Sequence, residues 1–272
     1  MYIFPDYTLK ITRRERKKGR LTRSNLAEAI RQVRESGFVV LERVLPDEWV
    51  SMMRTAFDEE TELYKPHKDG DDKRGGCQAP LRMPFLDPLA VENPWGLQII
   101  ETMMGEDIWT IMPYHTNTSW PGADTQHIHR DTQHLFPGYP VALPPTLMVI
   151  HIPLIDFTEE NGSTEVWPGT HLITDMAPED TRPEQLAERA ALMPSVCTHM
   201  PAGSVLVRDM RIWHRGMPNR TNDIRTMLSI VYFRQLHRLP NHLTHLSPIT
   251  QAAKDMLSER AQRLYRYNPV EE

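Results

Sequence analysis

The sequence predicts a mainly β domain with helices at its two ends, arranged as an antiparallel sandwich or barrel. β-Branched and aromatic runs are grouped in a middle section of roughly 130 residues, whereas apolar residues at helical spacing occur before and after it. The chain also has 23 prolines against 13 glycines and several short apolar runs, which favours loop-rich β structure over a helical bundle. Strands that are grouped, rather than alternating with helices, favour antiparallel pairing.

Cap and turn residues mark the predicted elements. Each predicted helix has a capping residue or a first-turn proline at its start, or a glycine at its end. The predicted helices run from Ser24 to Gly37, from Pro46–Asp47, from Asn93–Pro94 to Gly105, and from Ser247–Pro248. The predicted strands are FVVL at 38–41 and, in the middle section, parts of IWTIMPYHTNTSW, TLMVIHIPLIDF, SVLVR and TMLSIVYF.

Charge divides the chain into a short basic segment and one domain. Residues 10–23 carry eight basic residues and one acid. We predict that residues 1–23 form a solvated N-terminal extension, with an arm that binds an anionic partner as the alternative. Residues 24–272 contain no convincing linker and are predicted to be a single domain. Within it, the polar segment 65–88 is predicted to be a lid-like loop, since loops of this length inside a domain are usually functional or disordered.

Composition argues against several classes of function. A formal net charge of −5 disfavours nucleic-acid binding by the whole chain. No apolar run reaches the ~20 residues that a membrane span needs, and the N-terminus lacks the apolar core of a signal peptide. Cys77 and Cys197 provide neither a disulfide framework nor zinc spacing. We therefore expect a cytoplasmic protein without nucleic-acid or membrane partners, and its oligomeric state is left open.

The hexapeptide QHIHRD at 126–131 indicates a metal site. On an extended strand, residues at every second position share a face, so His127, His129 and Asp131 are predicted to project together. Two imidazoles and a carboxylate suit Fe, Mn or Zn better than Ca or Mg. The best candidate for a ligand from elsewhere is His214. Two histidines and one carboxylate on one side of a metal leave coordination positions open, as non-haem Fe(II) oxygenases require.

These signals have ordinary structural alternatives. A single His-x-Asp occurs by chance in many chains, and most of the twelve histidines are expected to be packed or surface residues. We expect His115, His127, His151 and His171 to be such packed or surface residues rather than metal ligands. A structural zinc site would be closed and would usually contain sulfur ligands, and neither cysteine is placed for one.

Three segments together resemble the phytanoyl-CoA dioxygenase family of Fe(II)- and 2-oxoglutarate-dependent oxygenases. They are QHIHRD, NGSTEVWPGTH at 161–171 and WHRGMPNRTNDIR at 213–225. The earlier SGFVVLERVLPDEWV is similar to the family's opening strand and helix, so the resemblance covers the chain roughly from Leu21 to Phe233. It implies a double-stranded β-helix core (a jelly roll, as in cupins) with flanking helices.

The resemblance also implies a role for specific residues. The family's His-x-Asp falls on His129 and Asp131, and its distal histidine falls on His214, so these three would bind Fe(II). The basic residue that pairs with the distal carboxylate of 2-oxoglutarate falls on Arg225. A planar guanidinium suits this role because it can donate two parallel hydrogen bonds to one carboxylate.

Two further residues are implied to contact the co-substrate. Gln126 resembles a glutamine that helps to bind 2-oxoglutarate in some relatives. Thr164 lies where several relatives have a hydroxyl group near the same molecule. His127 is then expected to face the substrate or to support a ligand. Without the metal motif, Arg225 would be interpreted as a surface salt-bridge residue and Thr164 as a β-branched strand residue.

The implied activity is the oxidation of a small molecule with Fe(II), 2-oxoglutarate and O₂. Hydroxylation of a metabolite or natural-product intermediate is the expected outcome, coupled to decarboxylation of 2-oxoglutarate to succinate and CO₂. The same chemistry can desaturate, close a ring, epimerise or demethylate, and the sequence does not choose among these. Substrate contacts are expected from Arg74, Arg82, Met83, the strand 114–120 and the segment 134–139.

Functions of other classes are the alternatives. A catalytically silent β-barrel binding module would be expected to lose a metal ligand, but all three are present. A Zn- or Mn-dependent hydrolase or isomerase could use the same ligands, but Arg225 at the family spacing and the lack of an obvious general base weigh against it. A cupin-like non-oxygenase site is disfavoured because Gln133 and His134 stand where its additional carboxylate is expected.

Overall fold

A computed structural model of the chain describes residues 7–63, 73–175, 183–236 and 246–271. The strands in these ranges are β1 Thr8–Lys10, β2 Phe38–Glu42, β3 Arg74–Gly75, β4 Ile108–Trp109, β5 His115–Ser119, β6 Leu147–Pro153, β7 Glu165–Trp167, β8 Val196–Cys197, β9 Val205–Asp209, β10 Trp213–Arg215, β11 Arg225–Arg234, β12 Ile249–Thr250 and β13 Val270–Glu271. The helices are α1 Arg13–Lys18, α2 Arg23–Ser36, α3 Asp47–Leu63, α4 Pro88–Val91, α5 Pro94–Met104, α6 Pro183–Ala190, α7 Gln251–Asp255 and α8 Glu259–Leu264, with a 3₁₀ turn at Thr170–Leu172.

The described chain has two sheets that build the β-rich middle of the fold, and a third, two-stranded sheet of β12 and β13. The larger sheet has the strand order β1-β2-β9-β6-β11-β5-β3, and β4 pairs with the far end of β11. Its strands are antiparallel except for β1, which runs parallel to β2. The smaller sheet has the order β10-β7-β8 and is antiparallel. The predicted β-rich core with flanking helices is confirmed, and closure of its strands into a double-stranded β-helix stays a prediction.

Strand β11 shows how the sequence divides the larger sheet into two faces. From Arg225 to Val231, every second residue lines a cavity. The residues between them, with Tyr232 beyond, are fully or almost fully buried, and Leu228, Ile230 and Tyr232 belong to the main hydrophobic core. This alternation follows from the two-residue period of a strand. Helices α2 and α5 pack on the core side, which leaves the other face of the sheet for the cavity.

Two helix starts differ from their predicted positions. Helix α2 begins after Thr22 rather than Ser24, because the Thr22 hydroxyl accepts from the backbone N–H of Asn25 at 3.2 Å. Its predicted end at Gly37 is confirmed. The C-terminal helix α7 begins after Thr250 rather than at Ser247–Pro248, because residues 249–250 first pair with β13.

The basic N-terminal segment packs on the rest of the chain. Strand β1 lies at the edge of the larger sheet beside β2, and Glu15 in α1 is 1 % exposed. The indole of Trp95 donates to the carbonyl oxygen of Glu15 at 3.2 Å. This packing differs from the solvated extension predicted from charge alone, because the one acidic residue of the segment is buried while its basic residues remain on the outside.

The predicted lid-like loop is described only in part. Residues 65–72 of it lie outside the described residues. The described part, residues 73–88, is anchored to the larger sheet at its start, since Arg74 and Gly75 pair with Ser119 and Thr118 of β5. In the described part of the chain, no helix is both long enough and apolar enough to cross a bilayer.

Candidate active site

A cavity of about 470 Å³ lies between the two sheets. Its walls come from β5, β6, β9 and β11 of the larger sheet and from β7 and β10 of the smaller one. All six site residues predicted from the sequence line it: Gln126, His129, Asp131, Thr164, His214 and Arg225. Neither cysteine is among the lining residues.

Three of these residues bring metal-binding atoms together. His129 and His214 face each other across an isolated antiparallel bridge, in which each backbone N–H donates to the other's carbonyl oxygen at 3.0 and 2.9 Å. Oδ1 of Asp131 lies 3.9 Å from Nε2 of His129 and 3.5 Å from Nε2 of His214. The three ligand atoms are all within 4.8 Å of one another, so a single divalent ion could contact all of them.

Backbone carbonyls orient both imidazoles. Nδ1 of His129 lies 3.0 Å from the carbonyl oxygen of His127, and Nδ1 of His214 lies 3.1 Å from that of Ile212. An Nδ1–H that donates to a carbonyl leaves Nε2 unprotonated, with its lone pair available for a metal. Burial, followed by the charge of Arg208, lowers the pKa of His214 to about 3 against the opposite effect of Asp131. The neutral imidazole needed for coordination is therefore favoured.

The QHIHRD segment is not a continuous strand. Only His129 pairs with another strand, and Asp131 is held by its backbone N–H, which donates to the carbonyl oxygen of Met210 at 3.0 Å. His127 is exposed and is not among the cavity-lining residues. His127 contributes only its backbone carbonyl, which contacts Nδ1 of His129. The side chains of His129 and Asp131 therefore project into the cavity together, as predicted, whereas the side chain of His127 does not.

Arg208, a residue that the sequence analysis did not single out, contacts the predicted ligands. It belongs to β9, lines the cavity and is 5 % exposed. Its Nη2 donates to Oδ2 of Asp131 at 2.5 Å, and its Nη1 lies 3.1 Å from Nδ1 of His214. Burial alone would raise the pKa of Asp131, but the charge of Arg208 and its hydrogen bond outweigh burial and lower it. Asp131 is therefore ionised at neutral pH.

The buried guanidinium of Arg225 defines the other part of the cavity. It is 3 % exposed, lies 4.6 Å from the centre of the Phe157 ring and donates from Nη1 to the carbonyl oxygen of Gly162 at 3.0 Å. In the part of the chain that the structure describes, no carboxylate pairs with it, and its Nε has no hydrogen-bond partner. Burial, and then the charge of Arg74, lowers the pKa of Arg225 to about 9. An uncompensated buried cation favours the binding of an anion.

Gln126 and Thr164 complete the predicted set. Oε1 of Gln126 accepts from the backbone N–H of Gly216 at 3.0 Å, which leaves its amide nitrogen for other partners. Thr164 accepts through its carbonyl oxygen from the N–H and hydroxyl of Thr198 at 2.9 and 3.0 Å. Both residues line the cavity, and these contacts join them to the residues that directly follow β10 and β8.

The predicted substrate contacts are distributed unevenly. Arg74 lines the cavity, and its Nη2 donates to the carbonyl oxygens of Asp124 and Met217 at 2.8 and 2.6 Å. Asn117 and Thr118 of the 114–120 strand also line it. Arg82 instead pairs with Glu60 at 2.6 Å on the surface, and Met83 and most of the 134–139 segment point into solvent.

The remaining predicted histidines separate into different environments. His151 lines the cavity and is buried, and its Nε2 lies 3.5 Å from Nη2 of Arg208. His171 is buried elsewhere, with Nε2 3.1 Å from the carbonyl oxygen of Arg34, and His115 is exposed. A charged or polar residue within an apolar strand run, as in SVLVR and LMVIHIP, is the signal that could have identified Arg208 and His151.

Known relatives of the chain are dioxygenases. The fungal dioxygenase af480 of Aspergillus fumigatus is 25 % identical over 259 residues, covering 87 % of this chain and 75 % of the relative. The multifunctional dioxygenase ausE of Penicillium brasilianum is 30 % identical over 165 residues, which cover 57 % of this chain and 53 % of ausE. The match with ausE thus extends over about half of that relative's length.

Solved structures with the same fold include two from nogalamycin biosynthesis. The non-heme alpha-ketoglutarate-dependent carbocyclase SnoK superposes with a TM-score of 0.62 at 22 % identity, covering 84 % of this chain and 91 % of SnoK. The epimerase SnoN, in complex with Fe³⁺, alpha-ketoglutarate and nogalamycin RO, gives a TM-score of 0.63 at 18 % identity, covering 78 % and 84 % of the two chains.

The family assignment rests on the sequence profile of phytanoyl-CoA dioxygenase (PhyH), which matches residues 33–227. That range is well over half of the chain and includes QHIHRD, His214 and Arg225. As its sequence predicts, the chain belongs to the phytanoyl-CoA dioxygenase family of iron- and 2-oxoglutarate-dependent dioxygenases.

Proposed function

We propose that this dioxygenase binds Fe(II) through His129, Asp131 and His214, binds 2-oxoglutarate through Arg225, and hydroxylates a small natural-product intermediate. The observation that carries the proposal is the shared cavity. A buried guanidinium without an acidic partner among the described residues lines the same space as three converging metal-binding atoms. A dianionic co-substrate that also chelates a metal would satisfy both features at once.

The donor set supports iron. Two imidazoles and a carboxylate suit Fe(II), and with only three protein ligands they leave positions for a co-substrate and O₂. The two Nδ1 contacts with backbone carbonyls fix the imidazoles of His129 and His214 with Nε2 directed towards Asp131. Iron and 2-oxoglutarate, once bound, supply the oxidation of a substrate C–H bond with O₂, together with the release of succinate and CO₂.

Residues around the metal ligands support a role in positioning the co-substrate. Arg225 is fixed by Gly162 and Phe157, so its guanidinium is oriented before any carboxylate arrives. Gln126 and Thr164 line the same cavity as Arg225, and their side-chain amide and hydroxyl are proposed to donate hydrogen bonds to 2-oxoglutarate. Met200, Leu206 and Met227 provide apolar wall and limit water around the bound groups.

A natural-product intermediate is the proposed substrate class. The solved structures support it, since SnoK and SnoN belong to nogalamycin biosynthesis. SnoK closes a ring and SnoN epimerises, so a shared fold does not determine the outcome, and hydroxylation is proposed because it is the commonest result of this chemistry. We also propose the cytoplasm as the compartment, with a small molecule rather than a nucleic acid or a membrane as the partner.

Anaerobic titration of the Fe(II)-loaded protein with 2-oxoglutarate tests this proposal. We expect a weak visible charge-transfer band that saturates with one 2-oxoglutarate per iron. Succinate, which has the distal carboxylate but not the chelating keto acid, is the control and should give no band. If iron is bound and 2-oxoglutarate produces no band, the co-substrate assignment is wrong. A Zn or Mn hydrolase or isomerase would then be favoured, or a silent binding module if no metal binds at all.

A further inference from the structure

The two carboxylate oxygens of Asp131 have different surroundings. Oδ1 faces the two imidazoles, at 3.9 Å from Nε2 of His129 and 3.5 Å from Nε2 of His214. Oδ2 faces the larger sheet and accepts from Nη2 of Arg208 at 2.5 Å. One oxygen is therefore directed to the metal position, and the other is already engaged by a buried cation.

Arg208 is held in place by the sheet and by its neighbours. Its backbone pairs with Phe38 on one side and Val149 on the other, in the middle of the larger sheet. Its side chain is 6 % exposed, and Nη2 also lies 3.5 Å from Nε2 of His151. Among the described residues, Asp131 is the carboxylate that pairs with Arg208. A charge-assisted hydrogen bond of this length from a fixed donor restricts rotation of the carboxylate.

We propose that Arg208 is a positioning residue that restricts Asp131 to coordination through a single oxygen. The inference rests on the proposed function, because it assumes that His129, Asp131 and His214 hold the metal. By occupying Oδ2, Arg208 leaves only Oδ1 for the ion. Two histidines and one oxygen then use three of about six positions around an octahedral ion.

The consequence concerns the coordination positions on the metal ion that must stay open for 2-oxoglutarate and O₂. A carboxylate can bind a metal through one oxygen or through both. If Asp131 used both oxygens, the protein would fill about four positions instead of three. After 2-oxoglutarate occupied two more, none would remain for O₂. Arg208 thus keeps one position open that a freely rotating Asp131 could close.

A general stabilising role for a buried Arg–Asp pair is the competing explanation, and the chain offers a matched control for it. Arg211 and Asp209 form a second buried pair at the end of the same strand, 2.7 Å apart from Nη2 to Oδ2. Arg211 also donates to the carbonyl oxygen of Leu143 at 2.8 Å, and neither member of the pair lines the cavity. Loss of the Arg211–Asp209 pair should destabilise the fold without affecting the metal ligands.

Water-proton relaxation of the Mn(II)-loaded full-length protein provides the test, because it counts the exchangeable waters on the bound ion. We expect about three waters in the unsubstituted protein and about one after saturation with 2-oxoglutarate. Arg208→Met should lose about one water in each state, so that none remains with 2-oxoglutarate bound. Arg208→Lys, which retains a donor for Oδ2, should restore the count, whereas Arg211→Met should lower thermal stability and leave the count unchanged.

The outcomes separate the inference from the function on which it rests. If Arg208→Met keeps the same number of waters as the unsubstituted protein, the inference is wrong while the metal site stands. An equal loss of water in Arg211→Met would also overturn it, since the effect would then be general loosening. Arg208→Gln, whose polar head is too short to reach Oδ2, has the same expected loss and replaces Arg208→Met if that variant does not fold. A protein that binds no Mn(II) overturns both proposals.

Discussion

The guanidinium of Arg225 and the carbonyl oxygen of Gly162 are joined by a hydrogen bond of 3.0 Å that crosses from β11 to the turn before β7. Gly162 has φ +78°, and a Cβ built on it would lie 2.2 Å from the carbonyl oxygen of Met217. The turn can therefore approach the 217–218 backbone only because residue 162 has no side chain. The orientation of the buried arginine depends on that close approach.

Gly162→Ala is therefore expected to weaken 2-oxoglutarate binding and stability together. The new methyl group would collide with backbone, so the turn must move and take its carbonyl group away from Arg225. Gly138→Ala is the matched control, because Gly138 has φ +77° but has nothing within 4 Å of the position that a Cβ would take. The control should show only the backbone strain, of order 1 kcal/mol in the free energy of unfolding. Equal effects of the two variants on 2-oxoglutarate affinity would contradict the prediction.

Arg225→Met should separate ligand binding from stability. Loss of a charge-assisted contact to a carboxylate costs about 1.5–3 kcal/mol, so the Kd for 2-oxoglutarate should rise at least about tenfold. The melting temperature without ligand should be unchanged or higher, because the buried cation has no acidic partner among the described residues to lose. Calorimetry and thermal melts with and without 2-oxoglutarate would measure both effects.

The same substitution at Arg211 is the control, since that guanidinium is paired with Asp209 at 2.7 Å. Arg211→Met leaves a buried carboxylate without its partner and should lower the melting temperature. With 2-oxoglutarate at the same concentration, the unsubstituted protein and Arg211→Met should be stabilised to a similar extent, whereas Arg225→Met should be stabilised much less. A 2-oxoglutarate-dependent rise in the melting temperature of Arg225→Met that equals that of the unsubstituted protein would argue against its co-substrate role.

The sequence predicted the parts of the site that depend on short motifs. QHIHRD and WHRGMPNRTNDIR are each short segments, and the residues predicted from them, Gln126, His129, Asp131, His214 and Arg225, line one cavity. Helix caps such as Gly37 and Asn93 are equally local and were predicted at the correct positions. Patterns of this kind can be recognised because their geometry is set by neighbouring backbone.

Features that depend on contacts between distant segments were missed. Arg208 ends an apolar strand run, and its partner Asp131 lies 77 positions away in the chain, so no local pattern connects the two residues. The number of charges in the basic segment does not indicate that Glu15 is buried. The carboxylate of Glu15 accepts from the backbone N–H groups of Thr12 and Thr22. Strand register and burial decide such contacts, and neither is encoded in a local pattern.

His129→Ala and His127→Ala should differ sharply in iron binding although the residues are two positions apart. The His129 variant removes a ligand atom and should lose stoichiometric Fe(II), as should Asp131→Ala. The His127 variant keeps the backbone carbonyl that contacts Nδ1 of His129 and should retain iron, because its own side chain is exposed. Metal analysis after anaerobic loading and desalting would measure this. Iron retained by His129→Ala would contradict the ligand assignment.

Glu15→Gln is expected to lower the free energy of unfolding by about 1–3 kcal/mol at neutral pH, with an effect that fades in acid. Burial would raise the pKa of Glu15, but hydrogen bonds from Thr22 and Thr12 outweigh it and lower the pKa to about 2, from an ordinary value of 4.5. A lowered pKa contributes stability that is complete above 4.5 and is lost as the pH falls towards 2. Urea unfolding should therefore show the difference between the two proteins narrowing as the pH is lowered below 4.5. A pH-independent difference between the two proteins would mean that the ionised carboxylate of Glu15 does not anchor the N-terminal segment.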